Sequence, residues 1–267
     1  MTIYNDVLYK PLFNAMVFLY DIIPDKTIAV GLAIIFMTLI IKFALFSMSN
    51  KSILAQRDMQ KLQPKMNAIK AKYKNDKERQ SRELMKFYKE NKINPFSSCL
   101  PLLIQLPILI ALYGVFRDGL SNAAELGNLY SFVPNPGRIE ANFLGFLDLS
   151  VPNIWLAILA GALQFIQSWM LLKVKTKQEL KNEEERKKQM KKKKQQDPMD
   201  AASNMTKQMT YFMPIITVFI AVSLPSGLAF YWVVTTLFAI AQQWYIMKKK
   251  ERLEFKDIQS GSKKKRN

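Results

Sequence analysis

Five stretches of the chain are apolar over the length of a spanning helix: residues 28–48, 98–117, 152–172, 209–224 and 226–246. At 1.5 Å per residue, about 20 residues cross the ~30 Å of hydrocarbon in a bilayer. The pattern therefore predicts an all-α, polytopic membrane protein with five transmembrane helices. The fourth stretch, 209–224, is the shortest and reaches only ~24 Å. A span of that length asks the bilayer to thin or its flanking residues to snorkel. Pro225-Ser226-Gly227 is all that turns the chain between the last two stretches, so these two must be antiparallel neighbours.

The intervening segments carry other periods. In 49–97, Ile53, Met59, Leu62, Met66, Ile69 and Tyr73 recur at helical spacing. Asn75-Asp76 breaks the stripe, and Leu84, Phe87 and Tyr88 begin a second one that stops at Asn94-Pro95. This predicts an antiparallel helical hairpin. Near the start, the apolar stretch from Leu12 to Pro24 is too short to span. It has neither the basic lead-in nor the small-residue cleavage site of a secretory signal. Leu12, Phe13, Met16, Val17, Leu19 and Tyr20 suit an interfacial amphipathic helix lying flat on the membrane. Segment 118–151 is a loop, with Phe143, Leu144, Phe146 and Leu147 expected to rest on the membrane surface. Pro101 and Pro107 predict a kinked second span. The division that results is an interfacial segment 1–27, a five-helix domain 28–246 and a basic, disordered tail 247–267. Within the domain lie the hairpin 49–97, the loop 118–151 and the basic loop 173–207.

Charge orients this picture. Of 39 Lys and Arg residues, 13 fall in 49–97, 12 in 173–207 and 9 in 248–267, against two in 1–27 and one in 118–151. Positive charge flanking spans stays on the cytoplasmic side, so the N-terminus is expected outside and the C-terminus in the cytoplasm. The formal net charge of +18 thus describes one face. The mean hydropathy of −0.03 averages apolar spans with highly charged loops. Loop 173–207, with its KKKK run and Asp197-Pro198, reads as helix ends around a disordered middle. The basic segments have two readings, attraction to anionic lipid or phosphate contacts to RNA. Aromatic residues for base stacking are lacking beside the KKKK and KKKR runs, which excludes sequence-specific RNA recognition there.

The chain has one cysteine, Cys99, and no histidine. An intramolecular disulfide, histidine acid–base catalysis and a Cys/His metal site are all excluded. There is no Walker-type glycine loop, and no cofactor is expected. Cys99 itself reads as a small packing residue at the mouth of the second span.

Lys42 is the sharpest candidate, about six residues and so ~9 Å inside the first span. A charge there costs at least ~2.5 kcal/mol on insertion scales and usually faces a bundle interior or a wet cavity. Lysine can also snorkel to the headgroups, and position alone leaves both open. Thr38 lies one turn away on the same face. Gln105, Gln164 and Gln167 come from two further spans. Singly, such groups form interhelical hydrogen bonds. Together with an unpaired lysine they read as a hydrated pocket that would attract an anionic group. Tyr231 and Trp232 fit either an interfacial aromatic belt or a contact face.

At these residues the chain resembles the YidC/Oxa family of membrane insertases. The matching stretches are TLIIKFALFSMSNKS, LQPKMNAIKAKY, FYKENKINPFSSCLPLLIQLPILIALY, FIQ and FMPIITVFIAVSLPSGLAFYWVV, covering about 28–117 and 160–246. The resemblance implies five helices around a hydrophilic groove, open to cytoplasm and lipid and closed to the outside. It implies an insertase and chaperone of a bacterial inner membrane that performs no covalent chemistry. On this resemblance Lys42 is the groove cation, Thr38 and Gln167 line the groove, and Tyr231 and Trp232 contact substrate. The implied partners are nascent membrane proteins, the ribosome through basic loops and tail, the Sec translocon and the signal recognition particle pathway. One position departs from the family pattern, since the groove cation there is usually arginine. Lysine, unlike arginine, can lose its proton when desolvated. Two competing functions remain at this level. A small-anion transporter using Lys42 would want the repeated halves that are absent here. A ribosome tether would need the hairpin and tail but no polar groove.

Overall fold

The structure, a computed structural model, describes residues 4–91, 94, 100–120, 129–172 and 212–264. Cys99 and the basic loop 173–207 lie outside the described residues. A π-helical turn, Asn5–Tyr9, leads into α1, Lys10–Asp21. The long apolar helices are α2, Lys26–Ala44, and α5, Leu100–Leu120. They are joined by α6, Ile154–Leu172, α7, Phe212–Ala221, and α8, Ser226–Lys264. Between α2 and α5 come α3, Phe46–Lys72, and α4, Lys77–Glu90.

Local chemistry sets these boundaries. Asp25 caps α2, accepting from Thr27 N at 3.0 Å and Thr27 Oγ1 at 2.6 Å. Those two bonds hold its carboxyl below the usual carboxylate range. Leu45 alone interrupts the helix between α2 and α3. The chain reverses at 73–76, where Asp76 caps α4 through Arg79 N at 2.9 Å. Gln80 Nε2 donates to Lys70 O at 2.7 Å, satisfying a carbonyl in the last turn of α3. Tyr73 is flanked by Lys72 and Arg79, 5.3 and 5.2 Å from its ring centroid.

Three helices are long and apolar enough to cross a membrane: α2, α5 and α6. The other two expected spans are helical but fall short of that length or hydropathy among the described residues. The described helix of the fourth is ten residues, Phe212–Ala221. The fifth is the first part of α8, where Thr235, Thr236, Gln242 and Gln243 dilute the apolar run. Beyond it, α8 continues as a helix to Lys264, across most of the segment expected to be a basic tail. Extending a helix that already exists avoids the cost of nucleation, and Lys, Glu, Arg and Leu, which dominate 248–256, are good helix formers.

The core is lopsided. Phe13, Met16, Val17 and Tyr20 of α1 are buried against Ala29, Val30, Ala33, Ile34 and Met37 of α2 and Leu112, Val115 and Phe116 of α5. All lie toward one end of the bundle, here termed the cap end. The apolar stripe of α1 expected to face lipid thus packs against protein, leaving Phe18 and Ile22 outward. Tyr9 Oη donates to Asp118 Oδ2 at 2.9 Å, tying the first turn to the end of α5. Burial and that carboxylate push the Tyr9 hydroxyl well above its ordinary range, so it stays a donor.

Residues 129–151 complete the cap. A two-stranded ladder joins β1, Asn142–Phe143, to β2, Leu147–Asp148, in register Asn142↔Asp148 and Phe143↔Leu147. Val133, Ile139 and Leu149 are buried beneath it. Of the four residues expected on the membrane surface, Leu144 and Phe146 are exposed, whereas Phe143 and Leu147 pack onto the core. The start of α8 docks on the same ladder. Gly227 N donates to Leu149 O at 2.8 Å and Ser226 Oγ to Asp148 O at 2.7 Å.

Candidate functional site

Burial changes sides along α2. Its first three turns and a half, through Thr38, include seven buried residues. From Leu39 to Leu45 every side chain is half-buried or exposed. The corresponding end of α5 behaves alike, with Leu103, Leu106 and Pro107 exposed and Ile104 and Gln105 half-buried. The bundle is therefore packed tight at the cap end and loose at the end that bears the α3–α4 hairpin.

Lys42 sits at this loose end, half-buried. No carboxylate lies within ion-pair distance of it among the described residues. The sequence explains why: no Asp or Glu occurs in 26–44, 100–117, 154–172, 212–221 or 226–250. Such a cation is stable only with water or an incoming anion beside it. Thr38, one turn closer to the cap, is fully buried and donates from Oγ1 to Ile34 O at 2.6 Å. That bond satisfies the hydroxyl within its own helix.

The three glutamines are half-buried, and two of them are engaged across helices. Gln105 Nε2 donates to Tyr231 Oη at 2.7 Å, joining α5 to α8. Gln164 Oε1 accepts from Thr217 Oγ1 at 2.6 Å, joining α6 to α7. Gln167 offers its backbone carbonyl to Gln243 Nε2 at 3.5 Å. Of the candidates, Gln105 and Gln167 thus meet α8, which packs against α2, α3, α5 and α6. Among the described residues no hydrogen bond links any of them to Lys42.

Tyr231 and Trp232, adjacent in sequence, separate in space because neighbours on a helix project ~100° apart. Tyr231 is fully buried. Trp232 is half-buried and packs on the small cluster of Ala157, Ala221 and Ala229, where α6, α7 and α8 meet. The close approach of α6 and α7 depends on Gly161, where a Cβ would overlap the Val218 side chain and lie 3.1 Å from Pro214 O.

Sequence reasoning missed a polar cluster at the base of the site. Gln242, nearly fully buried, accepts from Ser49 Oγ at 3.1 Å and donates to Asn50 Oδ1 at 2.6 Å and Phe46 O at 3.4 Å. It fastens α8 to the start of α3, one turn beyond Lys42. The available signal was Gln242-Gln243 itself, two adjacent amides within an expected span, where interhelical hydrogen bonds are the usual reason for them. No group of acidic, Cys or His residues able to hold a metal occurs among the described residues.

Comparison with known proteins adds an independent line. A family model described as 60Kd inner membrane protein matches residues 22–253. The chain is 34% identical over 221 residues to the membrane protein insertase YidC of Fusobacterium nucleatum subsp. nucleatum, covering 82% of this chain and 86% of that one. It is 37% identical over 227 residues to the Clostridium tetani membrane protein insertase YidC, covering 84% of each. Similarity to the membrane protein insertase YidC of Geobacter sp. strain M21 is 34% over 241 residues, which is 90% of this chain and 36% of that longer protein.

Proposed function

This chain belongs to the 60Kd inner membrane protein family, whose relatives are named membrane protein insertases YidC, and on that premise we propose that it inserts newly made proteins into a bacterial inner membrane through a hydrated, cation-bearing groove. The observation that carries this reading is Lys42: half-buried, without a carboxylate partner among the described residues, at the loose end of a bundle whose cap end is packed.

The charge pattern orients the bundle. The cap end lies outside, and the hairpin, the basic loop and the C-terminal helix lie in the cytoplasm. The barrier to carrying a short polar peptide segment outward is the dehydration of its backbone, several kcal/mol for each unsatisfied group. A water-filled indentation from the cytoplasmic side shortens the dry path. Lys42 attracts acidic side chains of the segment, the half-buried Gln105, Gln164 and Gln167 form the polar wall, and Thr38 lies buried one turn above Lys42. The hydrophobic span of the client meanwhile partitions into lipid, which drives the process. Trp232 belongs to the face along which that span moves, while Tyr231, expected there from the sequence, is buried behind it and holds α8 to α5 through Gln105. Binding and release suffice, so no bond is made or broken. The nascent chain arrives from the ribosome at the basic cytoplasmic face, with the Sec translocon and signal recognition particle pathway as further partners and anionic lipid as the local surroundings.

The test is rescue of cells depleted of their own insertase, with insertion of an acidic-tailed client as readout. Lys42→Arg should insert as well as the parent. Lys42→Ala should be slower, and Lys42→Glu slower still, because a like charge repels the client's acidic tail. Full activity of Lys42→Glu on every client would remove the electrostatic part of the mechanism.

A further inference from the structure

We propose that Phe143 is the outer seal of the α2–α8 seam, the ring that keeps the groove from opening through to the outer face. The proposal rests on the groove reading and supplies its closure. Gly31, Thr38 and Lys42 are spaced seven and four residues apart, so all three fall within about 20° of one line along α2. Gly31 stands about 16 Å above Lys42 on that line. The Phe143 ring fills the notch at Gly31, where a Cβ would overlap it. On its other side is Phe230 of α8, with ring centroids 5.4 Å apart and planes at 51°. Gly31 and Phe230 lie about 8 and 6 Å inside their helices. The ring therefore bridges the two helices at one depth, just below the outer surface.

The ladder that presents Phe143 is held in place by its backbone. Leu144 N donates to Thr27 O at 2.8 Å, and Leu149 N to Ala141 O at 2.9 Å. The turn after Phe143 takes the left-handed conformation at Leu144 and Gly145, φ 57° and 78°. That reversal aims Phe143 inward while Leu144 and Phe146, its near neighbours, point outward and are exposed. Burial of apolar surface in general would not separate these three residues; a specific place for one ring does. Beneath it Ile34 and Met37 are fully buried, and below them the bundle loosens toward Lys42.

The experiment uses the full chain with Cys99→Ser and one added cysteine. Ile34→Cys, about one turn below Gly31, is probed from outside intact cells with a membrane-impermeant maleimide. Lys42→Cys is probed from the cytoplasmic side in inverted vesicles. With Phe143 in place, Ile34→Cys should be silent from outside and Lys42→Cys reactive from the cytoplasm. Phe143→Ala, or Gly31→Ala displacing the ring, should raise outside labelling of Ile34→Cys severalfold. Phe132→Ala, at an exposed cap residue, should not. Unchanged cytoplasmic labelling of Lys42→Cys shows that each variant has folded, and Phe143→Leu replaces Phe143→Ala if the latter does not accumulate. No gain at Ile34→Cys in a folded variant overturns the seal. An unreactive Lys42→Cys in the parent overturns the groove; parental resistance of each variant to added protease then shows that it has folded, and the outside labelling of Ile34→Cys still decides the seal.

Discussion

Among the described residues, polar side chains of the membrane-spanning part pair across helices at Gln105–Tyr231 and Gln164–Thr217. The Tyr231–Gln105 bond at 2.7 Å joins α5 to α8 near the centre of the bundle. Tyr231→Phe strands the Gln105 amide and should lower stability by about 1 kcal/mol, within the range of interhelical hydrogen bonds in membranes. Gln105→Leu should cost a similar amount, and the double variant little more, because both remove the same bond. Denaturation of the purified protein by increasing detergent denaturant reads both effects, and fully additive losses would show the bond to be immaterial. Lys42 is the contrasting case. Its identity and approximate depth are legible in the sequence, because one charge in an apolar run stands out. The choice between snorkelling and facing the groove is not, because it depends on which neighbours end at the same level. In the structure those neighbours at the hairpin ends of α2 and α5 are half-buried or exposed.

At the level of elements, helix existence follows from apolar runs and caps. The α3–α4 turn falls at 73–76, where Asn75-Asp76 interrupts the stripe and Asp76 supplies the cap. Contacts between elements are harder to read. Gly161 gives no sequence signal beyond being small, yet α6 and α7 meet there. Gly161→Ala should force the helices apart and destabilise the protein by about 1–3 kcal/mol, the usual cost of overpacking. Val218→Ala should restore much of the loss, because the colliding atoms belong to that side chain. A Gly161→Ala protein as stable as the parent would show that the helices separate without penalty. The apolar stripe of α1 is a related case. An amphipathic helix looks the same whether lipid or protein covers it, and only the presence of α2 and α5 beside Phe13, Met16 and Tyr20 decides the matter.

The whole molecule is electrically and mechanically two-ended. Hydrogen bonds from 129–151 and α1 bind the cap end, while positive charge gathers at the hairpin and along the last twenty residues. Nine of those residues are basic, and seven of them lie in α8, which continues as a helix to Lys264. Deleting 248–267 should weaken co-sedimentation with ribosomes and flatten its dependence on salt, since fewer phosphate contacts release fewer counterions. An unchanged salt dependence would assign ribosome contact to the hairpin and loops alone.

The sequence by itself determined the membrane class, the apolar segments, the segments in which positive charge clusters, the hairpin and the lone lysine. These are properties of composition and period, and each is written within a few consecutive turns of chain. Tertiary structure alone decided that α1 packs into the cap, that Gln105 reaches Tyr231, that Gln242 fastens α8 to α3, and that Phe143 rather than Phe146 turns inward. Those outcomes depend on residues 50 to 200 positions apart meeting in three dimensions. No local period encodes which of several similar apolar or amide side chains will find a partner there.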